Sequence, residues 1–386
     1  MKQDRKSGDT KELGHIAEPL LKWYDRGRRI LPWREDPTPY HVWISEIMLQ
    51  QTRVEAVKPY YDRFLSELPD IRSLAEVDEE RLLKLWEGLG YYNRARNLKK
   101  AAEVIVSEYG GWMPGAYEEL LKLPGIGSYT AGAIASIAFG QSVPAVDGNV
   151  LRILSRLRMD ERDILNGKVK KAVEAELLEV MPKDRPGDFN QAMMELGAMV
   201  CVPNGMAKCE ECPWGDFCQA RTVGRVQEFP KKTPKKARKI EEKTILVIRD
   251  ANLVALHKRP EKGLLAGMYE FPAMEGHATR EEVIEHIRRQ GLEPIRIQRL
   301  DDAKHIFSHK EWHMWGYAVR VDELTGMRGT TQGQELLFID PAMTQKRYPI
   351  PSAFAVYARY LEMRRGMEIE EGFGEEKQKE DDKRKG

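Results

Sequence analysis

Apolar and polar positions keep a helical rhythm from residue 15 to about 221, with few stretches that alternate as strands do. The spacing predicts helices over 54–65, 78–86, 95–109, 168–180 and 188–200. Asp36-Pro37-Thr38-Pro39 opens another, whose apolar positions Val42, Ile44, Ile47 and Met48 recur at roughly helical spacing. Leu123-Pro124-Gly125-Ile126-Gly127 is a glycine-punctuated turn on which a short helix can end and the next begin. Ser128 and Thr130 are candidate caps for that next helix, and 131–139 is small and apolar enough to be its buried body. Asp147 follows twenty residues after Gly127, at the expected start of a helix carrying Leu151 and Leu154. After residue 242 the grammar changes. Strands are predicted at 244–249 and 253–257, joined by Asp250-Ala251-Asn252 as a hairpin, and at 312–321 and 336–339, with helices near 280–289 and 352–364. The organisation expected is a disordered tail (1–14), a helical domain (15–224), a basic linker (225–243), an α+β domain (244–366) and a charged tail (367–386), with no internal repeat.

Composition narrows this only at points. The 386 residues suffice for two domains with cores of their own. A charged fraction of 32%, a mean hydropathy of −0.56, no apolar run of eighteen and a polar start argue against a membrane span or secretory signal. A cytoplasmic protein is expected, nucleoid-associated if prokaryotic. The net charge is only +1, so any case for nucleic-acid binding must rest on local patches. One is residues 231–239, KKTPKKARK, six basic residues of nine, which reads as a solvated linker or as a strap on phosphates. All four cysteines, Cys201, Cys209, Cys212 and Cys218, fall within eighteen residues as C-x7-C-x2-C-x5-C. That clustering points to a metal or cluster site, and four thiolates suit either tetrahedral zinc or a cubane iron–sulfur cluster. Four-thiolate zinc sites usually have two close cysteine pairs; only Cys209 and Cys212 form one here.

Two carboxylates are placed to matter. A pair of carboxylates can divide the work of acid–base chemistry, one as general acid and one as ionised stabiliser of a developing positive charge. Asp147 is one candidate. Glu46 is the other, because it interrupts an apolar helix, and an apolar setting raises a carboxyl pKa. Each has a plainer reading, Asp147 as an N-cap and Glu46 as a partly exposed helix residue. Their spacing does not bring them together.

The glycine turn and Asp147 together resemble the helix-hairpin-helix and catalytic aspartate of the endonuclease III superfamily of DNA glycosylases. LPWR, SEIMLQQTRVE, WEGLGYYNRARNL, LPGIGSYTAGA, VPAVDGNVLR and NQAMMELGAMVC narrow the resemblance to the MutY-type adenine DNA glycosylases. It implies a mostly α helix-hairpin-helix glycosylase domain (hairpin about 123–131) with an iron–sulfur cluster loop (201–218), plus an α+β Nudix-like carboxy-terminal domain. The implied activity is removal of adenine mispaired with 8-oxoguanine or guanine in duplex DNA, by a monomer. By this resemblance Glu46 protonates adenine, Asp147 stabilises or traps the sugar cation, Asn149 orients Asp147, and Tyr129 borders the site. Arg29, Trp33, Leu49 and Gln191 would line the adenine pocket, though Trp33 and Leu49 also read as core. Gln51 and Tyr91 would fill or wedge the gap left by base extrusion. Leu89, Gly125 and Gly127 join them on the DNA-facing side.

Relatives that also cut the backbone carry a lysine directly before the Thr-Ala of this hairpin; Tyr129 stands there and cannot form an imine. A monofunctional enzyme is therefore expected. The family carries a [4Fe–4S] cluster on the four cysteines, usually with six residues in the first gap; here there are seven. Lys208 and the loop after it are then candidates for phosphate contact. In the carboxy-terminal half, residues 280–286 resemble a Nudix box faintly but lack its glutamate array, and read as an amphipathic helix. Phe307-Ser308-His309 matches the family's loop that reads 8-oxoguanine. Competing readings are a thymine-mismatch or endonuclease III-like bifunctional enzyme, a non-catalytic lesion-binding protein and a nucleotide-pool hydrolase.

Overall fold

The computed structural model describes residues 13–234, 237–324, 330–331 and 334–362. The expected tails over 1–12 and 367–386, the middle of the basic linker (235–236) and the last residues of the predicted 352–364 helix lie outside the described residues. The chain divides into two units, with the boundary between residues 236 and 237.

The first unit is helical: α1 (Ala17–Gly27), α2 (Pro39–Leu49), α3 (Val54–Glu67), α4 (Ile71–Glu76), α5 (Glu79–Leu85), α6 (Asn93–Tyr109), α7 (Ser128–Ile137), α8 (Gly148–Arg158), α9 (Gly167–Val180) and α10 (Pro186–Met199), with single turns between. Helix α2 starts where Thr38 Oγ1 accepts the His41 N–H and Pro39 takes the first turn. Tyr40 and every residue from Val42 to Met48 are buried, so α2 is packed on nearly all sides and a polar residue in it sits among apolar neighbours. Helix α7 is buried from Thr130 to Ser136. Around Leu20, Tyr24, Leu154, Phe189 and Leu196, helices α1, α8, α9 and α10 build one core. Leu13 is fully buried in that core, so any tail ends before it.

Two local expectations change. Neither Ser128 nor Thr130 caps α7: the cap is Gly127, without a side-chain bond, while the Ser128 hydroxyl donates to Glu174 Oε1 and Thr130 is buried. The basic linker is also shorter than expected, because β1 begins at Lys239 and residues 229–233 bond within the first unit. Phe229 is buried and its carbonyl accepts from Arg156 Nε, the Lys231 carbonyl accepts the Ile164 N–H, and Thr233 bonds Asp163.

The second unit is a mixed sheet with helices. Its strands are β1 (Lys239–Arg249), β2 (Val254–Lys258), β3 (Tyr269–Glu270), β4 (Ala273–Glu275), β5 (Pro294–Ile306), β6 (Lys310–Val321), β7 (Thr330–Thr331) and β8 (Gln334–Ile339). Their order is β5-β6-β1-β2-β8-β7, with β3 on β2 and β4 on β1. The 250–252 hairpin forms as expected, with Arg249 opposite Val254. Helix α11 (Arg280–Arg289) carries a capping box, Thr279 with Glu282, and buries Val283 and Ile287 on one sheet face. The 352–364 helix is instead three short turns, Ser352–Phe354, Ala355–Ala358 and Arg359–Glu362. Strand β5 was not legible: its residues are mostly charged or exposed, and two register shifts interrupt its pairing with β6. Among the described residues no helix is long and apolar enough to cross a membrane.

Candidate functional site

Asp147 is the N-cap of α8. Its Oδ1 accepts the backbone N–H groups of Asn149 and Val150, each at 2.8 Å, and its Oδ2 accepts the Asn149 side-chain amide at 2.7 Å. The cap and the proposed chemistry therefore use one geometry, in which the helix amides hold the carboxylate still. Arg152, a turn further on, donates from Nη2 to Asn149 Oδ1 (3.0 Å) and the Gly197 carbonyl (2.7 Å), and from Nε to the Cys201 carbonyl (2.9 Å). Gly197 is required there. A Cβ at that position would stand 2.7 Å from the Asn149 Cβ, so only glycine lets α10 approach α8 at this point.

Glu46 projects from the buried helix α2 and is 6% exposed. The Tyr129 hydroxyl, from α7, donates to its Oε2 at 2.6 Å. Burial pushes the Glu46 carboxyl up to about 7, with the Asp147 charge adding to it; the Tyr129 bond and Arg34 pull the other way. Burial also raises Asp147, but three N–H donors and Arg152 oppose it. The two carboxyls thus differ in support. Asp147 is surrounded by donors that favour its charged form, whereas Glu46 has one hydroxyl.

Both line a single cleft with Arg29, Trp33, Leu49, Gln51, Tyr129, Asn149 and Gln191. Trp33 is nevertheless buried, edge-on to Tyr61, so its core and pocket readings coexist. Two cleft residues were missed. Glu195, from α10, takes Arg29 in a two-pronged pair (2.7 and 2.8 Å) and Arg34 at 2.8 Å, while the Arg29 backbone N–H also reaches it. Burial pushes that carboxyl up, but the two guanidinium groups outweigh it and hold it below the usual range. The signal was available: Glu195 interrupts an apolar helix as Glu46 does, and Arg34 ends the LPWR motif.

Gly125 has φ +77° and a Cβ there would meet the Asn97 Cβ at 2.6 Å. Gly127 faces open space, leaving the first amides of α7 without a side-chain cap. Gln51 (φ 61°) and Tyr91 (φ 48°) both hold left-handed backbone and are exposed. Leu89 is 6% exposed, and its carbonyl accepts from Arg94 Nη2 at 3.0 Å. In the second unit, Phe307 packs edge-on against Trp312 (4.7 Å) and His305 (4.6 Å), while Ser308 and His309 are exposed between β5 and β6.

The four cysteines line one small cavity with Arg156 and Arg221. Arg156 Nη1 lies 3.3 Å from Cys201 Sγ. Burial pushes the Cys209, Cys212 and Cys218 thiols up, Cys212 to about 12, so ligation there would displace thiol protons. Among the described residues no group of three or more His, Cys, Asp and Glu is drawn up as for a metal ion. Lys208 is exposed and lies 3.8 Å from Glu211.

Comparison with known proteins follows the same division. Residues 44–183 match the HhH-GPD superfamily base excision DNA repair protein family, and residues 244–359 match the NUDIX domain. Adenine DNA glycosylase of Mus musculus is 37% identical over 373 residues, covering 82% of this chain and 72% of that protein. The adenine DNA glycosylase of Buchnera aphidicola subsp. Acyrthosiphon pisum is 34% identical over 307 residues, covering 79% of this chain and 87% of that one. Among solved structures, a thermostable thymine-DNA glycosylase superposes with a TM-score of 0.51 at 30% identity, over 55% of this chain and 98% of its own.

Proposed function

The chain belongs to the adenine DNA glycosylases of base excision repair, and from that premise we propose that it hydrolyses adenine opposite 8-oxoguanine or guanine in duplex DNA without cutting the backbone. The observation that carries the reading is the pairing of two unlike carboxyls in one cleft, Glu46 under a single hydroxyl and Asp147 within a ring of donors. Glu46, neutral over part of the physiological range, gives its proton to the adenine, so the base leaves uncharged. Asp147 stays ionised and stabilises the positive charge that develops on the sugar, or traps it briefly, and water completes hydrolysis. Asn149 and the α8 amides keep Asp147 in place, and Arg152 keeps Asn149 in place. Arg29, Trp33, Leu49 and Gln191 enclose the base, with Glu195 and Arg34 fixing Arg29. Gln51 and Tyr91 enter the stack as the base leaves it. The hydroxyl of Tyr129, bonded to Glu46, offers no amine for an imine with the opened sugar.

Four thiols on one cavity, flanked by two arginines and without a competing carboxylate or imidazole, fit a [4Fe–4S] cluster held by Cys201, Cys209, Cys212 and Cys218. When bound, such a cluster ties the 201–218 loop together and needs no part in base cleavage. In the second unit, Ser308 and His309 are the residues proposed to read 8-oxoguanine, with Phe307 as their apolar anchor. The working protein is proposed to be a monomer.

The test is a single-turnover assay on an 8-oxoguanine:adenine duplex, with thymine, guanine and uracil mismatches alongside and borohydride added in parallel. Adenine release with intact strands and little covalent trapping is expected. Release of thymine instead, or efficient trapping, would withdraw the proposal.

A further inference from the structure

Arg94 lies in the first turn of α6, and its guanidinium is spent almost wholly on backbone carbonyls from two distant segments. Nη1 is shared by the carbonyls of Ile47 (2.5 Å), Met48 (3.0 Å) and Gln50 (2.8 Å) at the end of α2. Nη2 donates to the carbonyls of Leu89 (3.0 Å) and Gly90 (3.1 Å). The first set precedes Gln51 and the second precedes Tyr91, two exposed non-glycine residues of this unit with left-handed backbone. Such conformations persist only where the surroundings over-determine them. The Trp86 indole also donates to the Gly90 carbonyl, at 3.2 Å, and the guanidinium stands 5.3 Å from the Trp86 ring centre and 5.7 Å from that of Tyr91. Carbonyls at a helix C-terminus attract a cation, and the planar fork of arginine can hold two groups of acceptors at once.

We propose that Arg94 is a positioning residue for base extrusion, fixing the Gln51 turn, the Tyr91 turn and the end of the Glu46 helix as one block. The two side chains that enter the stack and the acid that serves the extruded adenine then keep a single geometry. A rigid link of this kind is needed because small misplacements cost a catalytic site much of its rate. Lysine cannot replace it: its ammonium is a point charge that reaches one group of acceptors or the other. The proposal rests on the reading of Gln51 and Tyr91 as the residues that fill the gap.

The experiment uses the full chain and a duplex with 8-oxoguanine opposite adenine and 2-aminopurine beside that adenine. Stopped-flow fluorescence reads extrusion, single-turnover release reads cleavage, and burst amplitude gives the active fraction. Arg94→Lys is expected to slow extrusion and release together by at least about tenfold at an unchanged active fraction. In a background of Gln51→Gly with Tyr91→Ala, the same change should cost less than about threefold more, because its effect passes through those residues. Wild-type extrusion in Arg94→Lys, slow release with normal extrusion, or fully multiplying effects would each overturn the proposal. Should Arg94→Lys not fold, Trp86→Phe removes the indole donor to Gly90 and part of the buried ring beside the guanidinium while leaving Arg94 in place. Extrusion at least about threefold slower then supports the lock, and unchanged extrusion overturns it. Wild type that releases no adenine would overturn both this proposal and the reading beneath it.

Discussion

The acid role proposed for Glu46 depends on burial, and burial leaves a signature in stability as well as in rate. Its folded value of about 7 stands above the ordinary 4.5, so the fold favours the neutral form. The contribution of this group to stability is then full below pH 4.5 and is lost as pH rises through 7. Glu46→Gln should therefore be more stable than wild type at pH 8 by up to about 3 kcal/mol, with no difference at pH 4. Urea unfolding at both values checks this. The same variant and Asp147→Asn should each lose at least about a hundredfold in single-turnover release while still binding duplex. Tyr129→Phe refines the picture. Its hydroxyl bond favours the Glu46 carboxylate, so removing it should move the alkaline limb of the pH–rate profile upward. An unmoved limb would assign that limb to another group.

Between elements, glycines decide how closely backbones approach the chemistry. Gly197→Ala would drive a Cβ into Asn149 where α10 meets α8, and overpacking of this kind costs about 1–3 kcal/mol. Because Asn149 holds Asp147, release should fall along with the melting temperature, and thermal unfolding beside single-turnover kinetics tests it. Gly125→Ala is different in kind. It combines a left-handed φ with a clash at Asn97 and disturbs the turn that presents the uncapped α7 amides. Phosphate binding at a helix N-terminus should weaken, and the slope of log affinity against log salt should fall by about one contact. Release from already bound DNA should change less.

At the scale of the whole molecule, base cleavage and lesion reading are proposed to lie on separate units. 8-Oxoguanine differs from guanine by an oxygen at C8 and an N7 that donates, and the exposed Ser308 hydroxyl can accept from that N–H. Ser308→Ala with His309→Ala should lower the preference for 8-oxoguanine:adenine over guanine:adenine by about 1–3 kcal/mol, read as a ratio of specificity constants at one salt concentration. Intrinsic cleavage should fall less, since Glu46 and Asp147 belong to the other unit. Metal analysis bears on the first unit. About four irons per chain and no stoichiometric zinc are expected in protein prepared without oxygen.

What the sequence determined by itself was local. Thr38-Pro39 starts α2 and Asp147 starts α8 because a cap and its amides lie within three residues of each other. The 250–252 hairpin and the 280–289 helix are likewise written in neighbouring positions, and the motifs around Glu46 and Asp147 carry the family with them. Tertiary structure decided the rest, and each case involves a partner far along the chain. Leu13 is buried by helices from the other end of its unit, and β5 is a strand because β6 pairs with it across two irregularities. Glu195 joins the cleft through Arg29, 166 residues away, and Arg94 reaches α2 from 44 to 47 residues off. Periodicity and capping report what a residue does within a few positions of itself. A buried charge is settled by whichever distant group arrives to satisfy it, and local pattern holds no record of that.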